Sequence, residues 1–279
     1  PLMISNEAAA NVSMHFGING LSWTMGTACA SGTDALALAL DVIRSGRLEM
    51  SIAGGTESSI TEFSVASYDQ LQALAKNYND CPEKSCRPFD KAREGFVIAE
   101  GSVMFVLEEL EHAKKRGAKI YAELLGTGAS CDAYHITKPL EDGTIAALGF
   151  QEAISDAGIR PEQIDYYNAH GTSTVVNDMA ESSMLKTVFG EHSRKIRISS
   201  TKSMTGHMIG AAGAMEAMVC IKAINDNFVP PTINLDNPDI ENGCDLDYTP
   251  NKGVSCTVNT AASGSLGFGG HNAFAIFGK

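Results

Sequence analysis

The chain has 279 residues, 44% hydrophobic and 19% charged, enough to bury a large core in one big domain or two medium ones. Its net charge of −12 argues against nucleic acid as a partner, since phosphate binding needs clustered Lys and Arg; no stretch approaches the ~20 apolar residues of a membrane span, and no signal peptide opens it. Seven cysteines with no Cys-x-x-Cys pair argue against a disulfide framework or a zinc site, so no metal is expected, and reduced thiols in the cytoplasm are the simplest reading.

Aromatic residues are sparse at 7% and glycines number 27, a composition suited to closely packed helices and strands of an α/β protein. A helix is expected over 6–16, then a strand over 21–28. Ser31, Gly32 and Thr33 open a second helix with Leu36, Ala39, Val42 and Ile43 on its apolar face, closing at Gly46. A short strand over 50–53 and a helix over about 65–75 follow, then a polar loop holding Cys81 and Cys86. Val103–Leu107 reads as a buried strand and Glu108–Arg116 as a helix stopped by Gly117. The second series has strands at 119–127, 164–168 and 196–200, and helices near 144–157, 178–189 and 208–226. Antiparallel strands are expected near 245–248, 256–261 and 272–277. Alternation of strands and helices implies a largely parallel or mixed sheet between helical layers, divided near Gly117 into 1–117 and 118–279. The basic run Lys114-Lys115-Arg116 reads as the polar end of a helix.

Thr27-Ala28-Cys29-Ala30-Ser31-Gly32 joins a strand to a helix through small residues. A thiol on such a turn meets the unpaired N–H groups and dipole of a helix N-terminus, which favour a thiolate. A structural cysteine packed under the helix is the alternative reading. His170 follows the strand 164–168 among small hydroxyl residues, and His207 follows the strand 196–200 and opens a glycine-faced helix. Strand ends are where open α/β sheets bind ligands. Taken singly, each histidine fits a satisfied core or loop residue. Cys, His and His on three strand ends of one edge can instead converge into one site.

At these residues the sequence resembles the elongation-type condensing enzymes, the β-ketoacyl-acyl carrier protein synthases of the thiolase superfamily. TACASG around Cys29, NAHGTST around His170, STKSMTGHMIGAAG around Lys202 and His207, and GFGGHN from Gly267 are similar to the family's four signatures, in its order and spacing. RPFDKAREGFVIAEG, HAKKRGAKIYAELLG and PPTINLDNPD resemble its connecting segments. The resemblance implies a thiolase-type layered αβαβα fold of two similar halves, a homodimer, and fatty acid elongation on acyl carrier protein without a cofactor. Position by position, it implies Cys29 as acyl acceptor, His170 and His207 in decarboxylation and condensation, and Lys202 paired with Glu216. It further implies Asp178 and Glu181 as the family's acidic pair, Thr172 and Thr174 as hydroxyls on the pantetheine arm, and Phe268 as gate. The Phe268 N–H would join that of Cys29 in an oxyanion hole. The usual Asn-Ser-Phe before GFGG reads Gly264-Ser265-Leu266 here, which bears on chain-length preference. Family members extend upstream of what corresponds to Pro1, so the N-terminal half is expected to be incomplete, with an open sheet edge, and 1–279 alone to be inactive and poorly soluble.

A degradative thiolase should carry a second catalytic cysteine near the C-terminus, where 264–274 offers His271 instead. The initiating synthases use a Cys-His-Asn set, and a silent chain-length subunit should lack the nucleophile. A polyketide ketosynthase is the serious alternative. Because the carrier is acidic and so is this chain, docking needs a local basic patch; most of it is expected upstream of Pro1, with Lys76 and Arg87 as the remaining candidates.

Overall fold

The computed structural model describes residues 4–279; Pro1, where the expectation about the N-terminal half begins, lies outside them. In chain order the elements are α1 (Glu7–Phe16), α2 (Ser31–Arg44), β1 (Met50–Glu57), α3 (Glu62–Gln70), β2 (Gly101–Glu108) and α4 (Leu110–Lys115). Then come β3 (Glu123–Cys131), α5 (Thr144–Asp156), β4 (Tyr166–Asn168), α6 (Val175–Phe189), β5 (Arg197–Ser199), α7 (Lys202–Thr205) and α8 (Ala212–Asp226). The chain ends with β6 (Phe228–Val229), β7 (Val254–Ser255), β8 (Thr260–Gly267) and β9 (His271–Gly278).

Three sheets result: an antiparallel β1–β2 pair, a five-stranded mixed sheet in the order β3-β9-β8-β4-β5, and a small β6–β7 pair. Helices α2 and α8 pack between the first two, and α5 and α6 cover the far face of the five-stranded sheet. The period-2 alternation of strands sorts side chains between these layers. Tyr167, Phe274 and Ile276 join Phe150, Met184 and Leu185 in the outer core, whereas Tyr166, Ala275 and Phe277 join Leu36, Ala217 and Cys220 in the middle one. Both faces of β8 and β9 are therefore buried, which explains why they read as apolar and small rather than alternating.

Small residues set the layer spacing. A Cβ on Gly128 of β3 would fall 2.2 Å from the Gly149 carbonyl and 2.4 Å from the Ala153 nitrogen of α5. A Cβ on Gly32 of α2 would fall 2.7 Å from the Ala214 nitrogen of α8.

Most expected elements are present with shifted ends, and three readings are corrected. Residues 21–27 make no strand ladder, since no described segment offers them a partner. The segment 245–248 is coil whose Leu246 and Tyr248 are core residues, so apolar burial there imitates a strand. The strand read at 256–261 is β8, four residues later, and its Ser263-Gly264-Ser265 centre does not look like a strand in one dimension. β1 pairs with β2 alone among the described residues. Beside it, α1, α2 and residues 18–25 line an open cleft of about 530 Å³, with Ile18, Leu21 and Trp23 exposed.

Gly128→Ala should destabilise the fold by about 1–3 kcal/mol through overpacking of β3 on α5. Urea unfolding checks this: a lowered midpoint with an unchanged slope is expected, and an unchanged midpoint contradicts the close-packing account.

Candidate active site

Cys29 sits in a single 3-10 turn, Ala28–Ala30, that runs directly into α2. Ala28 holds φ at +49°, a left-handed conformation that turns the chain sharply before the thiol. The Ser31 hydroxyl donates to the Ala28 carbonyl at 2.7 Å and accepts the Thr27 N–H at 3.0 Å, clamping the turn. His170 follows β4. Lys202 opens α7 just beyond β5, and His207 lies between α7 and the 3-10 turn leading to α8. Parallel pairing of β4 with both β5 and β8 brings these ends to one edge of the sheet.

The structure brings Cys29, His170, His207 and Lys202 together, all buried. His207 Nε2 lies 3.1 Å from Cys29 Sγ, and the two imidazole rings meet edge to face with centroids 5.3 Å apart. The Lys202 ammonium donates to the His170 carbonyl at 2.6 Å, to His170 Nδ1 at 3.2 Å and to Glu216 of α8. Because Nδ1 of His170 accepts from Lys202, its neutral ring carries the proton on Nε2. His207 Nδ1 is buried with no partner, so nothing fixes its tautomer, and its Nε2 can accept or donate.

Burial dominates the electrostatics. It pushes the Cys29 thiol up to about 11, against the pull of Lys202 and of the backbone N–H groups of Phe268 and Cys29. The helix N-terminus therefore does not make a resting thiolate, contrary to the sequence expectation. Burial, and then Lys202, hold His170 and His207 well below the usual imidazole range. Burial raises Glu216 to about 7 despite the attraction of Lys202.

Glu181 lies under the histidine loop, where its carboxylate accepts the His170 N–H and the Gly171 N–H, each at 2.7 Å, and the Tyr167 hydroxyl at 2.9 Å. Asp178 points elsewhere. It accepts the Phe89 N–H at 2.8 Å and pairs with Arg93, fastening the 87–95 loop to α6. Thr172 and Thr174, hydroxyls 2.9 Å apart, line a cavity of about 390 Å³ with Cys29, both histidines, Leu266 and Phe268. Tyr68, Phe96 and Ile209 line the same cavity and were not singled out as site residues in the sequence; Tyr68 lies outside every quoted segment, while Phe96 and Ile209 lie inside two of them without any reactive group to draw attention. Lys76 is exposed and pairs with Asp69 at 2.7 Å. Arg87 is corrected as a docking candidate: it is buried, pairing with Asp90 at 3.0 Å and donating to the Asn234 carbonyl. His271 starts β9.

The sequence matches the family descriptions "Beta-ketoacyl synthase, N-terminal domain" over residues 2–113 and "Beta-ketoacyl synthase, C-terminal domain" over residues 121–236. It is 47% identical over its whole length to a Synechocystis protein named 3-oxoacyl-[acyl-carrier-protein] synthase 2, covering 66% of that relative. It is 46% identical to the Coxiella burnetii protein of the same name, covering 67% of it. A solved ketosynthase, described as bound to the hexaketide and in complex with a type II PKS acyl-carrier protein, superposes with a TM-score of 0.95 at 41% identity. That match covers 98% of this chain and 66% of the other. The chain belongs to the beta-ketoacyl synthase family and has its thiolase-type fold, and it spans about two thirds of the length of these relatives.

Both histidines should make stability acid-sensitive. An unfolded imidazole takes up its proton near 6.5, a folded one only well below that. Below about pH 6.5 the unfolded chain thus binds more protons, and stability falls as pH drops. Glu181 and Glu216, both raised to about 7, act in the opposite sense between 4.5 and 7. A His170→Asn/His207→Asn variant should therefore lose less stability than the parent between pH 7 and pH 5. Urea midpoints at the two pH values check this, and an equal loss in both proteins contradicts it.

Proposed function

We propose that this chain carries the chemistry of a 3-oxoacyl-[acyl-carrier-protein] synthase, joining an acyl group on Cys29 to the two-carbon unit of malonyl-acyl carrier protein. The contact that carries the reading is the 3.1 Å approach of His207 Nε2 to Cys29 Sγ, with His170 turned by Lys202 to present Nε2–H beside them. Relatives named for this activity support it.

In the first half-reaction the Cys29 thiol gives its proton to His207 Nε2 as sulfur attacks the acyl thioester carbon. The N–H groups of Cys29 and Phe268, which both pull the thiol toward its charged form, are assigned to hold the oxyanion. The carrier thiolate leaves and takes the proton from His207. In the second, the malonyl carboxylate departs as CO₂, and its bonding electrons pass to the enolate of the carrier thioester. The Nε2–H groups of His170 and His207 stabilise the enolate oxygen. The carbanion attacks acyl-Cys29, the C–S bond breaks with its electron pair returning to Cys29 as a thiolate that takes a proton from solvent, and 3-oxoacyl-carrier leaves with a new C–C bond. Lys202 is a positioning residue, supported by Glu216, and Glu181 holds the His170 loop. Thr172 and Thr174 are assigned to the pantetheine arm, Phe268 to the gate, and Asp178 to support of α6. The reading includes a division of the chain into 1–117 and 118–279, a homodimer and a cytoplasmic location. Among the described residues no helix is long and apolar enough to cross a membrane.

A polyketide ketosynthase is the second reading, favoured by the 0.95 TM-score to the hexaketide-bound ketosynthase. Intact-mass analysis after mixing with acyl-carrier thioesters of graded length separates the two by the chains that load.

Cys29→Ala should give no acyl-enzyme. His170→Ala should lose about 10²–10³ in decarboxylation rate while still acylating Cys29, because His170 makes no hydrogen bond to the sulfur. His207→Ala should slow both steps. Labelled CO₂ release and acyl-enzyme mass read the steps separately. Unimpaired decarboxylation in both histidine variants would remove the two-histidine mechanism.

A further inference from the structure

The cavity beside Cys29 has a polar group on its wall that the condensing chemistry leaves unused. Tyr68, in the last turn of α3, lines this space of about 390 Å³ together with Cys29, Phe96 and Ile209. Its ring meets Phe96 edge to face with centroids 5.5 Å apart, and Phe96 meets the His207 ring edge to face at 5.1 Å. A run of rings thus joins the phenol to the imidazole on Cys29. The two charged forms that bear on the phenol are those of Cys29 and Glu57, and Glu57 accepts the Gly210 N–H at 3.2 Å. Tyr68 therefore stands on the Ile209 side of the cavity.

Other enclosed tyrosines spend their hydroxyls on the protein. Tyr166 pairs with Ser199 at 2.8 Å, Tyr167 donates to Glu181 at 2.9 Å and Tyr248 pairs with Ser182 at 2.7 Å. Tyr68 is part-buried, yet its hydroxyl meets no hydrogen-bond partner among the described residues. A buried Tyr O–H ordinarily finds one. Solvent can serve it while the cavity is open, but an acyl chain entering from Cys29 displaces that solvent. A saturated chain then leaves the phenol unpaired, which costs binding, whereas a chain with an acceptor oxygen at that point does not. Burial, then Cys29 and Glu57, raise the phenol's pKa, so it stays protonated and keeps its donor. Its neighbours on the wall, Leu71 and Phe96, are apolar; one donor among apolar groups reads the position of an oxygen rather than polarity in general.

We infer that Tyr68 is a specificity-determining residue whose phenol O–H donates to a ketone oxygen along the acyl chain on Cys29, so that the site favours oxo-bearing acyl thioesters over saturated ones. No bond to Tyr68 forms or breaks. This role rests on the condensing reading and deepens it by naming the acyl class.

The test compares octanoyl thioesters with chain-matched oxo-octanoyl thioesters, the ketone placed at successive carbons, and follows acyl-enzyme formation on Cys29 by intact mass. At least one oxo chain should load about tenfold faster than octanoyl, the worth of one hydrogen bond. Tyr68→Phe keeps the ring against Phe96, and it should erase that advantage while octanoyl loads as fast as before or faster. The matching pantetheine amides, which cannot acylate, should protect Cys29 from alkylation with the same preference, and Tyr68→Phe should lose it. Equal loading of all chains, equal protection by all amides, or a Tyr68→Phe variant that keeps the preference or slows every chain alike would each overturn the inference. Protection that favours an oxo amide through Tyr68, with no acyl-enzyme from any thioester, would remove the condensing reading and leave the recognition of oxo chains standing.

Discussion

An ammonium group buried away from water must be surrounded by acceptors, and Lys202 finds all of them within the site. Taking such a charge out of water costs several kcal/mol before any partner is counted. Glu216 supplies the opposing charge, and the His170 carbonyl and ring supply the remaining acceptors. Each of these bonds fixes something else. The contact with Glu216 ties α7 to α8, the contact with the carbonyl holds the loop after β4, and the contact with Nδ1 sets the tautomer of His170. One buried cation thereby determines which nitrogen of His170 faces Cys29.

The same lack of water leaves the reacting groups neutral at rest. Cys29, Cys86 and Cys244 are all raised, to about 11, 12 and 11, with burial as the first cause each time. A raised thiol therefore does not single out Cys29. Access and contact do: it is the cysteine lining the 390 Å³ cavity, and its sulfur touches an imidazole. A site of neutral thiol and neutral imidazoles pays little desolvation while empty. Its oriented donors then act strongly when negative charge develops on substrate, because few water molecules compete. The helix N-terminus contributes its N–H groups to that task rather than a standing thiolate.

Much of this was legible in one dimension, for a physical reason. Tight turns at strand ends demand small residues in fixed order, so the motifs around Cys29, His170, Lys202 and His207 are statements about backbone geometry as well as chemistry. Parallel pairing puts the ends of β4 and β5 on one edge, which brings His170 and Lys202 together, and Cys29 joins them from the turn before α2. What sequence could not separate was purpose among buried polar residues. Asp178 and Glu181 lie three apart on α6 and look alike in the chain, yet one fastens the 87–95 loop and the other holds the backbone under His170. Arg87 looked like a surface charge because its burial comes from the packing of distant segments, among them the loop whose Asn234 carbonyl it reaches, while its ion pair with Asp90 is local. The strand at β8 was displaced because serine and glycine carry no apolar signal, although each is fully enclosed between helical layers.

The departure at Gly264 shows how a motif can change while the site it supports persists. An added Cβ at this position would lie 1.9 Å from the hydroxyl oxygen of Tyr167 on the neighbouring strand β4. The space that a larger residue on β8 would occupy is filled from β4 instead. Tyr167 does more there than fill volume, since its hydroxyl donates to Glu181, the carboxylate that also receives the His170 and Gly171 N–H groups. A glycine on β8 is thus the condition for a tyrosine on β4, and that tyrosine helps satisfy the carboxylate beneath the catalytic loop. Side-chain volume at this point comes from β4 rather than β8, and it comes with a hydrogen bond to the group that holds His170 in place.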